Sequence, residues 1–364
     1  MRVPQSTFRR NVTCVHALMI DWTSLFIELN HAPLRSGAVI CVEADGTIAW
    51  ETPRKMQVRG SHESSMHVRS VGGDGKGNAT HLYIDGNPSK WLQGHNLVGS
   101  DDLLALVWDV FARVCGIFRL ESTDFERQKV RAGQYRVTRI DYNRMFELPS
   151  RADVRSWLRA GEFKCKSRHG RPVHDRGTLT FGKGSTHWRI TCYCKADEIS
   201  GKGSHKLAEE FHSIPEIHEF IDNKLRVELR LLSKKLKALD LEYGHKLTPA
   251  ALWAQYRHFI GELDMSEQIE LNSQQLLELP NKLRATYVLW KQGHDLFTML
   301  SKPTYYRHRK ELLTLGIDIN IRCDRRDDTN VIPMIRVLEA KPAAIPSFFF
   351  EKNLVHFSTR RAQA

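Results

Sequence analysis

The chain has 364 residues, 41% hydrophobic and 26% charged, the balance of a globular protein long enough for two domains and for a core without disulfide or metal staples. Lys and Arg total 54 against 42 Asp and Glu, a formal charge of +12, which points to a polyanionic partner, either nucleic acid or an acidic membrane. Collagen, a disulfide-rich secreted module and a mostly disordered chain are excluded. No apolar run approaches the roughly 18 residues of a spanning helix. The apolar stretch after Met1–Arg10 is short and broken by His16 and Asp21, a poor signal peptide. Seven irregularly spaced cysteines without a CxxC read as reduced thiols in a cytoplasm, and Cys192 and Cys194 as buried strand residues.

In chain order, the first hundred residues read as strands and turns. Val15 to Ile20 is expected as a first strand. Gly37 to Glu51 is expected as a hairpin turning on Asp45-Gly46, with Ser65–Val71 and Thr80–Ile84 as two further strands. The glycine-rich stretch at 72–78 lacks the GK[ST] signature and following helix of a phosphate cradle, so it reads as a hairpin loop. A helix is expected over Asp101–Ile117, capped by Ser100, with Leu103, Leu104, Val107, Val110 and Phe111 as its apolar stripe. The strand Gln134–Phe146 and the helix Arg151–Ala160, stopped by Gly161, follow. Thr178–Phe181 and His187–Ala196 read as strands, and Lys206–Phe220 as helical pieces broken at Pro215. Lys224–Arg230 reads as a strand running into a basic helix, Leu231–Leu241. From about residue 246 the pattern turns helical. The expected fold class is therefore α+β, an antiparallel sheet with flanking helices over 1–245, then a mainly helical region over 246–364.

Three of these strands carry a polar face, because residues two apart in a strand point the same way. Arg139 and Asp141 share one face; so do Arg189, Thr191, Tyr193 and Lys195; so do Lys224, Arg226, Glu228 and Arg230. A plainly solvated face is one reading. Convergence of the three is the other, and it would suit metal-assisted phosphodiester chemistry. Asp141 and Glu228 could hold Mg²⁺ or Mn²⁺, hard cations that prefer oxygen. The hydroxyl of Tyr193 could attack phosphorus, and Lys195, two residues on, could lower its pKa or bind phosphate.

Five stretches in order along some 250 residues carry a family resemblance. They are Asn87–Asn96 with its Lys-x-Leu-Gln-Gly-His-Asn centre, Thr138–Asp141, Tyr193–Lys195, Leu225–Arg230 and Asn330–Arg336. On them the chain resembles the filamentous-phage gene II replication proteins, initiators of the II/X family. The resemblance implies a rolling-circle nuclease core that nicks one strand at a phage or plasmid origin, stays attached through a tyrosine, and rejoins the displaced strand. Tyr193 matches the family's covalent tyrosine. The His-hydrophobic-His metal motif of related nucleases is absent, so Asp141 and Glu228 are the expected ligands. His95 is either a third ligand or phosphate contact, or a turn residue beside Gly94 and Asn96. Lys90 is either a phosphate contact or a solvated lysine, and Arg139, Arg189, Arg226 and Arg230 are expected to grip DNA. Implied partners are double- and single-stranded origin DNA and the host replicative helicase and polymerase, with no membrane, in the bacterial cytoplasm.

Residues 280–320 read as a helix-turn-helix, with helices at Asn281–Lys291, Asp295–Leu300 and Thr304–Leu315. The last is expected to present Tyr305, Arg307 and Arg309 to an origin. Two alternatives stand beside the nicking enzyme. One is a non-catalytic origin-binding repressor. The other is an RNA-binding module, weakened because Tyr193 is the only aromatic on the three polar faces.

Overall fold

The computed structural model describes residues 18–166, 172–201, 207–261, 264–265, 273–313, 319, 342–356 and 358. Its strands are β1 (Met19–His31), β2 (Ala38–Val42), β3 (Ile48–Pro53), β4 (Met56–Arg59), β5 (Ser65–Val71), β6 (Ala79–Gly86), β7 (Arg136–Glu147), β8 (Cys165–Lys166), β9 (Val173–Asp175), β10 (Thr178–Phe181), β11 (Trp188–Cys194), β12 (Lys224–Leu232) and β13 (Asp264–Met265). Its helices are α1 (Pro88–Gln93), α2 (Leu103–Phe118), α3 (Asp124–Arg131), α4 (Arg151–Lys164), α5 (Lys195–Ser200), α6 (Glu209–His212), α7 (Pro215–Asp222), α8 (Ser233–Ala238), α9 (Pro249–Gly261), α10 (Ser273–Glu278), α11 (Asn281–Lys291), α12 (Leu296–Met299), α13 (Lys302–Leu313) and α14 (Phe348–Glu351).

Among the described residues, nine strands form one antiparallel sheet in the order β4-β5-β6-β1-β7-β12-β11-β10-β9. This is the expected α+β class. The period of two sorts each central strand. Leu25 and Ile27 of β1, Ile140 and Tyr142 of β7, Leu225, Val227 and Leu229 of β12, and Ile190 and Cys192 of β11 are buried on one face. Helix α9 covers part of that face, with the Tyr256 ring 6.2 Å from Tyr142 and Phe259 5.3 Å from Trp188. The opposite face carries the polar set.

Several boundaries differ from the sequence reading. The first strand is thirteen residues long and starts at Met19; Val15–Ala17 lie outside the described residues. Asp102, not Ser100, caps α2. Its carboxylate accepts from Ala105 N at 3.0 Å, while Ser100 Oγ accepts from Asp102 N. Gly161 does not end α4, which runs to Lys164. Strand β11 ends at Cys194, so Lys195 opens a helix rather than continuing the strand.

The helical region holds a second apolar core. Leu283, Tyr287 and Trp290 of α11, Leu296 of α12, and Tyr305 and Leu312 of α13 pack together. The three helices of the expected helix-turn-helix therefore exist, with the last beginning at Lys302. Leu252, Tyr256, Phe259 and Ile260 of α9 belong to the first core, and Phe349 of α14 returns to it. The expected late strand at Asn330–Arg336 lies outside the described residues.

Candidate active site

A cavity of about 870 Å³ opens on the polar face, where β1, β7, β12, β11 and β10 run side by side. Asp141, Glu228 and Tyr193 all line it, together with Asp21, Lys90, Asn96, Arg139, Arg189 and Arg230. The register explains the convergence. Asp141 lies opposite Arg230, Glu228 opposite Thr191, and Arg226 opposite Tyr193. A separate hollow of about 920 Å³, lined among others by Leu34, Arg119 and Glu126, has no comparable convergence of carboxylates and nucleophile.

The two expected carboxylates stand in different surroundings. Asp141 is bracketed by guanidinium groups. Arg139 Nε donates to Oδ1 at 2.9 Å, and Arg230 Nε donates to Oδ2 at 2.9 Å. Glu228 is pushed well above the usual carboxylate range by burial, with the charges of Asp21 and Asp141 adding to the effect. Arg230, at 3.8 Å, offsets this only in part.

Asp21 is the ligand-type residue that the sequence reading missed. A register shift between Ile20 and Trp22 inserts it as an extra residue in β1, and such bulges re-aim a side chain. Its Oδ1 accepts from the side-chain amides of Asn87 at 2.6 Å and Asn96 at 2.9 Å. The one available signal was the carboxylate interrupting the apolar run 17–20.

The Asn87–Asn96 motif supports that carboxylate. Asn87 caps α1, its Oδ1 accepting from Lys90 N at 2.7 Å, and Pro88 occupies the first turn. Gly94 closes the helix at φ +89°, where an added Cβ would lie 2.2 Å from the His62 ring. The chain then turns Asn96 toward Asp21.

His95 is no ligand. Its ring is fully buried, Nε2 sits 2.8 Å from the Leu354 carbonyl, and Nδ1 accepts from Leu97 N at 3.3 Å. The ring also stacks edge-on against Phe211. Burial pulls its pKa down to about 4, so it is a neutral core residue.

Tyr193 is 9% exposed and reaches the cavity. Burial raises its pKa well above the usual phenol value, opposed by the neighbouring Arg226. Arg226 is not available to DNA, being fully buried, and its Nη2 donates to the Asn96 carbonyl at 2.6 Å. Lys195 is equally enclosed. Its Nζ donates to Asn96 Oδ1 at 3.0 Å and pairs with Glu198, 6.0 Å from the Tyr193 ring centre. Burial, then Arg226, brings its pKa down to about 8. Lys195 therefore holds Asn96 and Glu198 rather than presenting an ammonium on the strand face.

Arg139, Arg189 and Arg230 remain at the cavity wall, with Lys90 on its rim. Burial and the nearby Arg230 and Arg139 charges lower the Arg189 pKa, which shows how closely the three are gathered. Such a cluster suits an anionic oxygen. In the second core, Tyr305 is 2% exposed and packs edge-on against Phe297, so it is no base contact. Arg307 is exposed and Arg309 half-buried, and Tyr306 is the aromatic that α13 leaves outside.

Among the described residues, no three His, Cys, Asp or Glu side chains converge on one ion position. The site still fits Mg²⁺, which keeps several waters and is usually held by one or two carboxylates plus substrate phosphate oxygens. Glu228 beside Asp21 is such a pair, and their mutual repulsion is what a dication would relieve. Asp141 is the poorer ligand because two arginines already occupy its lone pairs.

Known proteins share this arrangement of sequence. Residues 19–250 match the family model of the N-terminal part of the gene II replication-associated protein, and residues 271–355 that of its C-terminal part. The replication-associated protein of that family from Enterobacteria phage I2-2 is 46% identical over 343 residues, covering 94% of this chain and 99% of that one. A solved rolling circle replication initiator protein from Geobacillus stearothermophilus aligns over 86% of this chain and all of its own length. Its identity is 11% and its TM-score 0.29, too distant a likeness to carry an argument. Among the described residues, no helix is long and apolar enough to cross a membrane.

Proposed function

Because the chain belongs to the gene II replication-associated protein family, we propose that it starts rolling-circle replication by nicking one strand of origin DNA through Tyr193 and later rejoining the displaced strand. The observation that carries this reading is the meeting of Tyr193 with Glu228, Asp21 and three arginines in one cavity. A structure built only to grip phosphate would need the arginines but no buried phenol beside paired carboxylates.

The residues divide the work as follows. Arg139, Arg189 and Arg230 seat the non-bridging oxygens of the scissile phosphate, with Asp141 fixing two of the guanidinium planes. The Tyr193 oxygen attacks phosphorus and gives up its proton to solvent, and the departing 3′ oxygen takes one up from solvent. The bond from phosphorus to the 3′ oxygen breaks, giving a 5′-phosphotyrosine and a free 3′-hydroxyl. That polarity is the one a polymerase needs to extend the nicked strand. Arg226, behind the ring, favours the phenolate. Asp21 and Glu228 would hold Mg²⁺ (or Mn²⁺), which when bound neutralises charge developing on the phosphoryl oxygens. Rejoining reverses the attack, with a 3′-hydroxyl displacing the tyrosine. Host helicase and polymerase would act on the exposed strand and primer.

Tyr193→Phe tests the reading. A labelled single-stranded origin oligonucleotide should give a denaturation-resistant adduct with the wild-type protein and none with the variant, while duplex-origin binding is kept. An adduct on the Phe variant would overturn it. Tyr142 would not be the substitute, because it lies on the opposite, buried sheet face against Tyr256.

A further inference from the structure

The polar sheet face does not end at the cavity. It continues across β1, β6 and β5 as a row of half-exposed aromatic rings, each with a cation over it. Trp22 lines the cavity edge beneath Arg139, at 4.8 Å. Phe26, four residues on and on the same face, lies under the exposed Arg136 at 5.1 Å. Tyr83 of β6 stands opposite Phe26, with ring centres 4.8 Å apart, and meets both Arg69 and Lys55 at 5.0 Å. The acidic groups on this face are already answered. Asp85 accepts from Trp22 Nε1, Ser24 Oγ and Lys55 Nζ, and Glu28 pairs with Lys129. The surplus charge is positive.

We propose that this row is a stacking track for single-stranded DNA, which leads the nucleotides beside the scissile phosphate away from the cavity. The inference rests on the nicking reading for its direction, but the track's own chemistry is independent of it. Aromatic faces accept any base, and the interleaved arginines and lysine follow the phosphates, which is the combination sequence-tolerant single-strand sites use. Continuity supplies the rest of the argument, because Trp22 and Arg139 belong to both the cavity and the track. The β1 aromatics lie outside the three strands whose polar faces are marked in the sequence, and only the sheet register brings them onto the same side.

The experiment uses the full chain and a fluorescent thymidine oligonucleotide long enough to cross both cavity and track. Phe26→Ala and Tyr83→Ala should each weaken its binding by about 10- to 100-fold, the loss expected for one base–aromatic stack. Removing bases, but not phosphates, from the oligonucleotide should weaken wild-type binding more than that of the Tyr83→Ala variant, which has one stack fewer to lose. Phe26→Leu and Tyr83→Leu, which keep apolar cover, should behave like the Ala variants, so misfolding cannot account for the loss. Wild-type affinity in the Leu variants, or equal penalties for abasic DNA in wild type and variants, overturns the track. Adduct formation by Tyr193 on an oligonucleotide barely spanning the scissile phosphate should persist in all four variants. Its loss in Tyr193→Phe alone tests the nicking reading separately.

Discussion

Arg230 on β12 faces Asp141 on β7 across the strand register and holds its Oδ2 through Nε at 2.9 Å and Nη2 at 2.8 Å. With Arg139 on the other side, the carboxylate is 1% exposed and chiefly organises two cations. Asp141→Asn should therefore act first on the arginines. Losing charge-assisted bonds of this kind costs about 1.5–3 kcal/mol each, less where the guanidinium still reaches water. Urea unfolding should show the lower stability. Affinity for short single-stranded oligonucleotides should fall with it, while affinity for Mg²⁺ changes little. A loss of Mg²⁺ binding equal to that of a Glu228 variant would make Asp141 a ligand after all.

Glu228 and Asp21 are expected to behave in the opposite way. Glu228→Gln and Asp21→Asn should each lower nicking on the order of a hundredfold, the scale of one electrostatic contact to a transition state. Calorimetric Mg²⁺ binding should weaken in parallel. Because the Glu228 carboxyl is pushed up by burial and by Asp21 and Asp141, metal binding there competes with protonation. Affinity should then rise with pH until the carboxyl is ionised without help, and Glu228→Gln should flatten that dependence. A pH-independent wild-type affinity would separate Glu228 from the ion.

His95 gives a pH effect on stability of definite sign. Its pKa falls from 6.5 to about 4 on folding, so the unfolded chain binds the proton more readily. The stabilisation is fully present above about pH 6.5 and is lost as pH falls toward 4. It amounts to about 3 kcal/mol over that window. His95→Asn should reduce stability at pH 7.5 yet shrink the difference between pH 7.5 and pH 4.5 in urea titrations. An unchanged difference would place the acid sensitivity in other groups.

The period of two made the central sheet legible. Alternation in β7, β11 and β12 put Asp141, Tyr193 and Glu228 on faces that do meet, because antiparallel register keeps opposite residues on one side. It could not aim Asp21, since a bulge changes the parity of β1 at the point where that carboxylate sits, and the break in the apolar run marks a carboxylate without giving its direction. Nor could it separate an arginine that lines a cavity from one that pins a loop. Arg226 and Arg230 share a strand face, yet Arg226 is buried beneath the Asn96–Leu97 turn and Arg230 reaches the cavity. The His95 motif was specific enough to carry a family resemblance, but its chemistry lies in Asn87 and Asn96, whose amides hold Asp21. In the helical region, the pattern gave the three helices but assigned Tyr305 to the wrong side. Tyr305 and Tyr306 are adjacent, and only packing shows which of them is buried.

Helix α13 should contribute duplex affinity without chemistry. Arg307 is exposed on it, near the N-terminal end that a recognition helix presents to DNA. Arg309 is half-buried and already engaged, which makes it the less informative substitution. If Arg307 meets a phosphate, Arg307→Ala should weaken duplex binding across sequences and reduce the slope of log affinity against log salt by about one. If it reads a guanine, the loss should be about 1–3 kcal/mol and confined to one position of the site. Tyr305→Ala should instead cost about 3–5 kcal/mol in the stability of the three-helix unit, because the ring fills its core. Neither substitution touches the cavity, so cleavage of a short single-stranded substrate should survive Arg307→Ala. Binding titrations at several salt concentrations beside an oligonucleotide cleavage assay decide the matter. Equal losses in both assays would join α13 and the sheet into one surface. No loss in either would leave α13 as packing for α11 and α12.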